Sequence, residues 1–235
     1  RLREMEDQAM EALFALADIY IWLPSFWELN VGQSEKILET WRGRSVHFHW
    51  IMDRPDMGPA RIDADLFLKL SKMHEEALYI DYEALSDHQE RIICALQNSA
   101  IEITNPAGTD LRFRLEDGHF HRNNGNASKE FISSYARPGS ARDREVELPA
   151  GAIRTVDITD TEGRLVVADQ VWAGRYVGAM TYEFKNDRIT SIVSQHHNDY
   201  VQAMWKLHTG DKDRFGELVV GSTPSLRMIP GYDEV

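Results

Sequence analysis

The chain reads as an α/β protein: a partial parallel-sheet α/β domain over residues 1–98, then a strand-rich α+β domain over residues 99–235, incomplete at its C-terminus. Three observations predict this. Segments of helical and of strand-like apolar spacing alternate up to residue 98, as in a parallel sheet flanked by helices. From residue 99 the apolar period falls to two, and turn residues recur at short intervals. Only two clear strands precede that change, so the first domain reads as the back half of a larger one.

Leu2, Met5, Ala9, Ala12, Leu13 and Leu16 share a helical face, which predicts a helix over about residues 2–15. Ala17 to Leu23 follows as a buried strand closed by Pro24. Residues 34–41 read as a short helix, and Val46, Phe48 and Trp50 alternate with His47, His49 and Ile51 in a second strand. Pro55, Gly58 and Pro59 mark a loop. Asp63 can cap a helix whose stripe is Leu66, Leu70, Met73 and Ala77. Ser86 followed by Gln89 is a capping-box signature for a last helix ending near residue 98.

Beyond residue 99, Ile101 and Ile103 lead through a Pro-Ala-Gly turn into Leu111, Phe113 and Leu115, a half-buried hairpin. Residues 117–145 are polar, with a turn at Asn123-Asn124-Gly125-Asn126 and a break at Pro138-Gly139, and read as a long exposed loop. Two further hairpins are predicted: residues 153–168 about Glu162-Gly163, and residues 175–194 about Asn186-Asp187. Asn198 or Asp199 then caps a helix presenting Tyr200, Val201, Met204 and Trp205 on one face.

A formal net charge of −12 speaks against nucleic-acid backbones and anionic membranes as partners, since both require clustered Lys and Arg. The single cysteine, Cys94, rules out an internal disulfide and fits a reducing cytoplasm. Within Ile92-Ile93-Cys94-Ala95-Leu96 it reads as a small buried hydrophobe. No apolar run is long enough for a membrane helix, and the start lacks a signal-peptide pattern. The start at Arg1 and the abrupt stop at Val235 read as a piece of a longer protein.

Glu217 is the leading candidate for chemistry. Phe215-Gly216-Glu217-Leu218-Val219-Val220-Gly221 sets one carboxylate inside an apolar, glycine-flanked segment. Burying such a group is costly unless a cation or several hydrogen bonds satisfy it. Two flanking glycines would let backbone approach closely. The plainer alternative is an exposed Glu in a helix-to-strand turn.

Three motifs occur in a fixed order: Asn105-Pro106-Ala107-Gly108-Thr109-Asp110-Leu111-Arg112-Phe113, then Leu148-Pro149-Ala150-Gly151-Ala152, then Gly216-Glu217-Leu218 with Gly221 and Pro224. Together they resemble the C-terminal domain of the thermophilic metalloaminopeptidases, the aminopeptidase T and aminopeptidase S group. The resemblance covers residues 99–226; the first 98 residues share only a helix-strand pattern. It implies a homodimeric, metal-dependent aminopeptidase relative that removes N-terminal residues from peptides. It implies a divalent metal as cofactor, zinc, cobalt or similar, with Glu217 as a ligand. In that family a shared metal pair acidifies a bridging water and polarises the scissile carbonyl.

One departure stands out. The family's second motif usually reads Leu-Pro-x-Gly-Glu, and its glutamate binds metal, whereas this chain has Ala152. The resemblance therefore implies an altered metal site, and the family's His, Tyr and Asp ligands would fall beyond Val235. An iron-dependent ring-cleaving dioxygenase of the 2,5-dihydroxypyridine type shares the fold and also lacks that glutamate. It has a histidine where this chain has Glu217, and it is the alternative enzyme reading. A non-catalytic binding protein on the same fold is the third. The partner is then a peptide or small-molecule substrate, with neither nucleic acid nor membrane.

Other polar clusters have simpler explanations. His47 and His49 project to one side of a strand as metal-binding His-x-His pairs do, but they fit a polar strand face or an interdomain contact. His119 and His121 flank the polar loop, and His196-His197 precedes a helix. Asp110 fits a turn residue bonding nearby amides. Asp157, Asp160 and Glu162 read as a solvated hairpin-tip cluster. Trp22, Trp27, Trp41 and Trp50 suit core packing. No Gly-rich phosphate loop, Gly-x-Ser-x-Gly elbow or Cys-x-x-Cys occurs.

Overall fold

The structure, a computed structural model, describes residues 2–23, 41–49, 64–137, 140 and 142–227. The predicted helix at 34–41 (save Trp41), the loop at 55–59, the Asp63 cap, Trp27, Trp50 and the Pro138-Gly139 break lie outside them. Among the described residues, helices accompany a three-stranded parallel sheet, a five-stranded antiparallel sheet and a further three-stranded sheet, the mixed α/β class that the sequence predicts. The described residues divide into two compact units that interleave along the chain. One draws on residues 1–89, 121–152 and 221–226; the other on 90–120, 153–220 and 227–235. The sequence reading placed a single division at residue 98.

In the first unit, α1 (Leu2–Leu16) leads into β1 (Ile19–Trp22). Among the residues of α1 whose burial is described, Phe14 is the buried one, with Tyr20 at 4.7 Å and Trp41 at 5.2 Å between ring centroids. Leu13 and Leu16, assigned to the inner stripe by spacing, are exposed. β1 is likewise only half covered: alternate residues Ile19 and Ile21 are exposed, so one of its faces is open, contrary to the buried strand expected. It pairs in parallel with β2 (Arg44–Phe48), from Ile19↔Arg44 to Trp22↔His47. On the far side of β2 lies β6 (Glu145–Leu148), also parallel, from Ser45↔Glu145 to Phe48↔Leu148. The third strand of the parallel sheet thus begins at Glu145, where the segment read as an exposed loop ends.

α2 (Ala64–Leu78) buries Leu70 and Ala77, as its stripe predicts. α3 (Tyr82–Leu96) begins four residues before the capping-box signature. Its start is capped by Asp81, whose Oδ1 accepts from the Ala84 amide at 3.0 Å, and Asp81 O accepts from Leu85 N. Ser86 and Gln89 therefore sit inside the helix, with their side chains committed elsewhere. Cys94 is exposed on the same helix, not buried: the stretch around it faces Ile92, Ile93 and Leu96 inward instead.

The polar stretch after residue 117 holds β5 (His121–Arg122), α4 (Lys129–Tyr135) and a 3-10 turn, Arg142–Arg144. Ser128 caps α4 by accepting from the Phe131 amide at 3.2 Å. His121, Asn123 and Asn124 are buried, contrary to the exposed-loop expectation. Burial is possible because the asparagines supply partners to the backbone there: Asn124 Oδ1 accepts from Asn126 N, and Asn123 Nδ2 donates to Glu147 O at 2.6 Å.

The second unit is built on an antiparallel sheet in the order β10-β9-β8-β4-β3, with β3 (Ala100–Thr104), β4 (Asp110–Leu115), β8 (Ile158–Trp172), β9 (Arg175–Lys185) and β10 (Arg188–Ser194). The β3–β4 hairpin forms in the predicted place, with Ile101 opposite Phe113. Leu111, Phe113 and Leu115 are buried with Phe120, Ile153 and Phe184. No hairpin forms at Glu162-Gly163; β8 runs straight through it. Gly163 instead marks a close approach of two backbones, since a Cβ there would lie 2.1 Å from Asp110 O. The chain turns at Ala173-Gly174, both at positive φ. The β9–β10 turn falls at Asn186-Asp187 as predicted, both in the left-handed conformation that a two-residue hairpin loop requires. α5 (Asn198–Leu207) then packs Val201 against Val177, Met180 and Ile192. Asn198 does not cap it; its Oδ1 accepts from Ser194 N at 3.1 Å.

Candidate functional site

The second and third sequence motifs are brought together by their backbones. β7 (Ala152–Thr155) and β11 (Leu218–Gly221) are neighbouring strands. Just before β7, the Leu148–Pro149 bond is cis and Gly151 adopts φ +135°. Just after β11, Ser222 donates to Gly151 O from its amide and its hydroxyl, both at 2.7 Å, and the Thr223 hydroxyl donates to Ala150 O. A fully buried Gln89 extends this clasp, its Nε2 donating to Asn123 O at 3.0 Å and to Ser222 Oγ at 3.1 Å. Asn123 closes the circuit: its amide donates to Ala152 O and its carbonyl accepts from Gly151 N. Gly151 is the glycine of close approach here. For Gly216 and Gly221, where the sequence suggested one, a Cβ would meet nothing within 4 Å among the described residues.

Strand alternation decides where Glu217 points. Ile153 and Thr155 of β7 are buried, which puts Ala152 and Arg154 on the opposite face. On β11, Leu218 and Val220 pack on the core while Val219 is exposed, so Glu217 shares the outer face of Val219. Phe215 fixes the approach, packed on Phe113 and Phe184 with centroids 5.3 and 5.7 Å away. The Glu217 side chain retains 27% exposure and lies 3.9 Å from Arg154 Nη1. It is not the deeply buried carboxylate that its apolar neighbours suggested: those neighbours point the other way.

A divalent metal takes four or more ligands, most of them anionic or imidazole side chains. Among the described residues no group of three or more His, Cys, Asp or Glu side chains could hold one. One carboxylate beside a guanidinium does not by itself fit a metal. The remaining candidates disperse. The His47 ring stacks on Trp22 at 4.1 Å, with His49 at 4.2 Å; Glu145 and Glu147 of β6 lie 3.9 and 3.6 Å from them, a polar strand face. His119 donates its amide to Asp157 Oδ2, so Asp157 serves the backbone. Asp160 and Glu162 lie within β8, Glu162 accepting from Asn186 N, so no hairpin-tip cluster exists there.

Sequence reading missed two groupings. Asp143, fully buried, accepts from Arg137 N and Nε at 3.0 and 2.9 Å, and the buried His121 Nδ1 is 3.6 Å away. Arg154 was the other, although its place two residues after Ala152 puts both on one strand face.

The chain is similar in structure to AmpT from Thermus thermophilus, with a TM-score of 0.59 and 16% sequence identity over 92% of this chain and 58% of that one. The likeness is one of fold. The chain spans little more than half the length of AmpT. A 2,5-dihydroxypyridine dioxygenase from Pseudomonas putida KT2440 is matched at a TM-score of 0.48 and 16% identity, over 86% of this chain and 50% of that one. No protein-family model matches the sequence, and no curated protein is similar to it. Among the described residues no helix is long and apolar enough to cross a membrane.

Proposed function

We propose that the chain is part of a metal-dependent aminopeptidase relative, a hydrolase acting at peptide N-termini, in which Glu217 is a metal ligand. The observation that supports this reading is the meeting of the second and third motifs: Ser222 and Thr223 hold the carbonyls of Ala150 and Gly151, and Glu217 leads into the strand beside β7. The AmpT-like fold supports it at the level of architecture. The reading carries a homodimer with it. Until a cation is present, the Arg154 guanidinium shares the neighbourhood of the Glu217 carboxylate and offsets its charge.

The test is metal analysis of the full-length protein together with amino-acid release from short peptides. We expect stoichiometric zinc, cobalt or a similar ion and measurable release, both lost in Glu217→Ala. Ala152→Glu, which returns a carboxylate to the face shared by Arg154, is expected to bind metal roughly tenfold more tightly than the parent. A metal-free protein that leaves peptides intact would overturn the proposal. Bound iron with oxygen consumption on a hydroxylated pyridine would assign the chain to ring cleavage instead.

A further inference from the structure

Within the first unit a cleft of about 600 Å³ opens beside Asp18, Arg44 and Arg144, which stand at the N-terminal ends of β1, β2 and β6. Its charged lining is Arg42, Arg44, Lys129, Arg137 and Arg144, against the one carboxylate of Asp18 among the described residues. In a chain of net charge −12, this reverses the sign of the molecule locally.

The cleft is built by hydrogen bonds. Arg144 donates from Nη2 to Trp41 O at 2.6 Å, from Nε to Gly43 O at 3.2 Å and from Nη1 to Ser140 O at 3.1 Å, so one guanidinium holds the turn that carries Arg42. The turn is fixed from its other side by Trp41, whose Nε1 donates to Ala17 O at 2.9 Å. Gly43 has no alternative, because a Cβ there would fall 1.9 Å from the Trp41 ring. Arg44 Nη1 is tied to Ala127 O, and Arg137 to Asp143. Arg44 and Arg144 thus spend these donors on neutral carbonyls, which orient the guanidinium without cancelling its charge.

Arg42 and Lys129 have neither a hydrogen bond nor an ion pair among the described residues, and both are exposed. Gathering like charges is unfavourable, and the arrangement registers it. Burial, and after it the Arg42 charge, depress the Arg144 pKa below its usual range, with Asp143 opposing. Arg42 and Lys129 thus bring to this wall two exposed cations with no carboxylate partner among the described residues, an arrangement suited to an anion.

We propose that this cleft binds a small phosphate-bearing ligand, gripped by Arg42 and Lys129 in a wall that includes Arg44 and Arg144. Guanidinium forks match pairs of phosphate oxygens, and several cations suit a group carrying more than one negative charge. The volume suits a small molecule. The acidic remainder of the chain would repel an extended polyanion such as RNA.

Titration calorimetry of the full-length protein with inorganic pyrophosphate at low salt tests this. We expect saturable binding, one per chain, weakening as salt rises. Arg42→Glu and Lys129→Glu should each weaken it about tenfold, the scale of one charge-assisted hydrogen bond, while the melting temperature stays that of the parent. Citrate serves as the carboxylate control and should bind more weakly. Absence of saturable binding, binding untouched by both variants, or citrate binding as tightly as pyrophosphate would each overturn the assignment.

Discussion

At Gly151 a Cβ would lie 1.8 Å from Thr223 Oγ1 and 2.7 Å from the Thr223 amide nitrogen, and the residue already sits at φ +135°. The side-chain oxygen could rotate away, but the backbone nitrogen is held by the strand before it. Gly151→Ala should therefore cost about 2–4 kcal/mol in denaturant unfolding. Gly216→Ala, one residue before Glu217 and facing open space among the described residues, should stay within about 0.5 kcal/mol of the parent. Equal losses for the two would contradict the packing described. The sequence made Gly151 and Glu217 visible, because each stands in a recognisable motif. It could not show which way Glu217 points, since apolar neighbours on a strand share its segment but not its face. Arg154 was hidden for the same reason: its significance depends on β11 lying beside β7, a pairing between residues far apart in the chain.

Among the elements, the β9–β10 turn separates local preference from tertiary demand. Asn-Gly is the favoured pair for such a turn, and Asp187 at φ +63° would be more relaxed as glycine. Yet Asp187 Oδ1 accepts from the Thr161 amide at 2.6 Å, and its own amide donates to Thr161 O; Thr161 is buried. Asp187→Gly is therefore expected to destabilise by about 1–2 kcal/mol despite the better turn residue, measured by chemical unfolding. A gain in stability would show that turn strain outweighs the lost bond. The hairpins at residues 100–115 and 175–194 were legible because period-two spacing and turn residues agreed. At Glu162-Gly163 the same signal misled: glycine there relieves crowding against Asp110, and nothing local distinguishes that from a turn. The start of α3 was misread because Ser86 and Gln89 imitate a cap three residues apart, while Asp81 performs the capping.

For the molecule as a whole, the interleaving of units sets what can stand alone. β2 has β1 on one side and β6, from residues 145–148, on the other. A polypeptide of residues 1–98 would leave β2 without its second partner and Gln89 without Asn123 and Ser222. We expect such a piece to lack the dispersed amide spectrum of a folded domain; a well-dispersed spectrum would refute this. The sequence pattern suggested a division at 98 because period changes there, but periodicity records local structure and is blind to a strand returning from later in the chain. The Thr223 hydroxyl reaches the carbonyl of Ala150 across 73 positions of sequence. Because that grip is on main-chain oxygen, it is indifferent to what side chain occupies 152. Descendants of such a frame could exchange reactive groups at that position, generation after generation, without the surrounding architecture having to be reinvented.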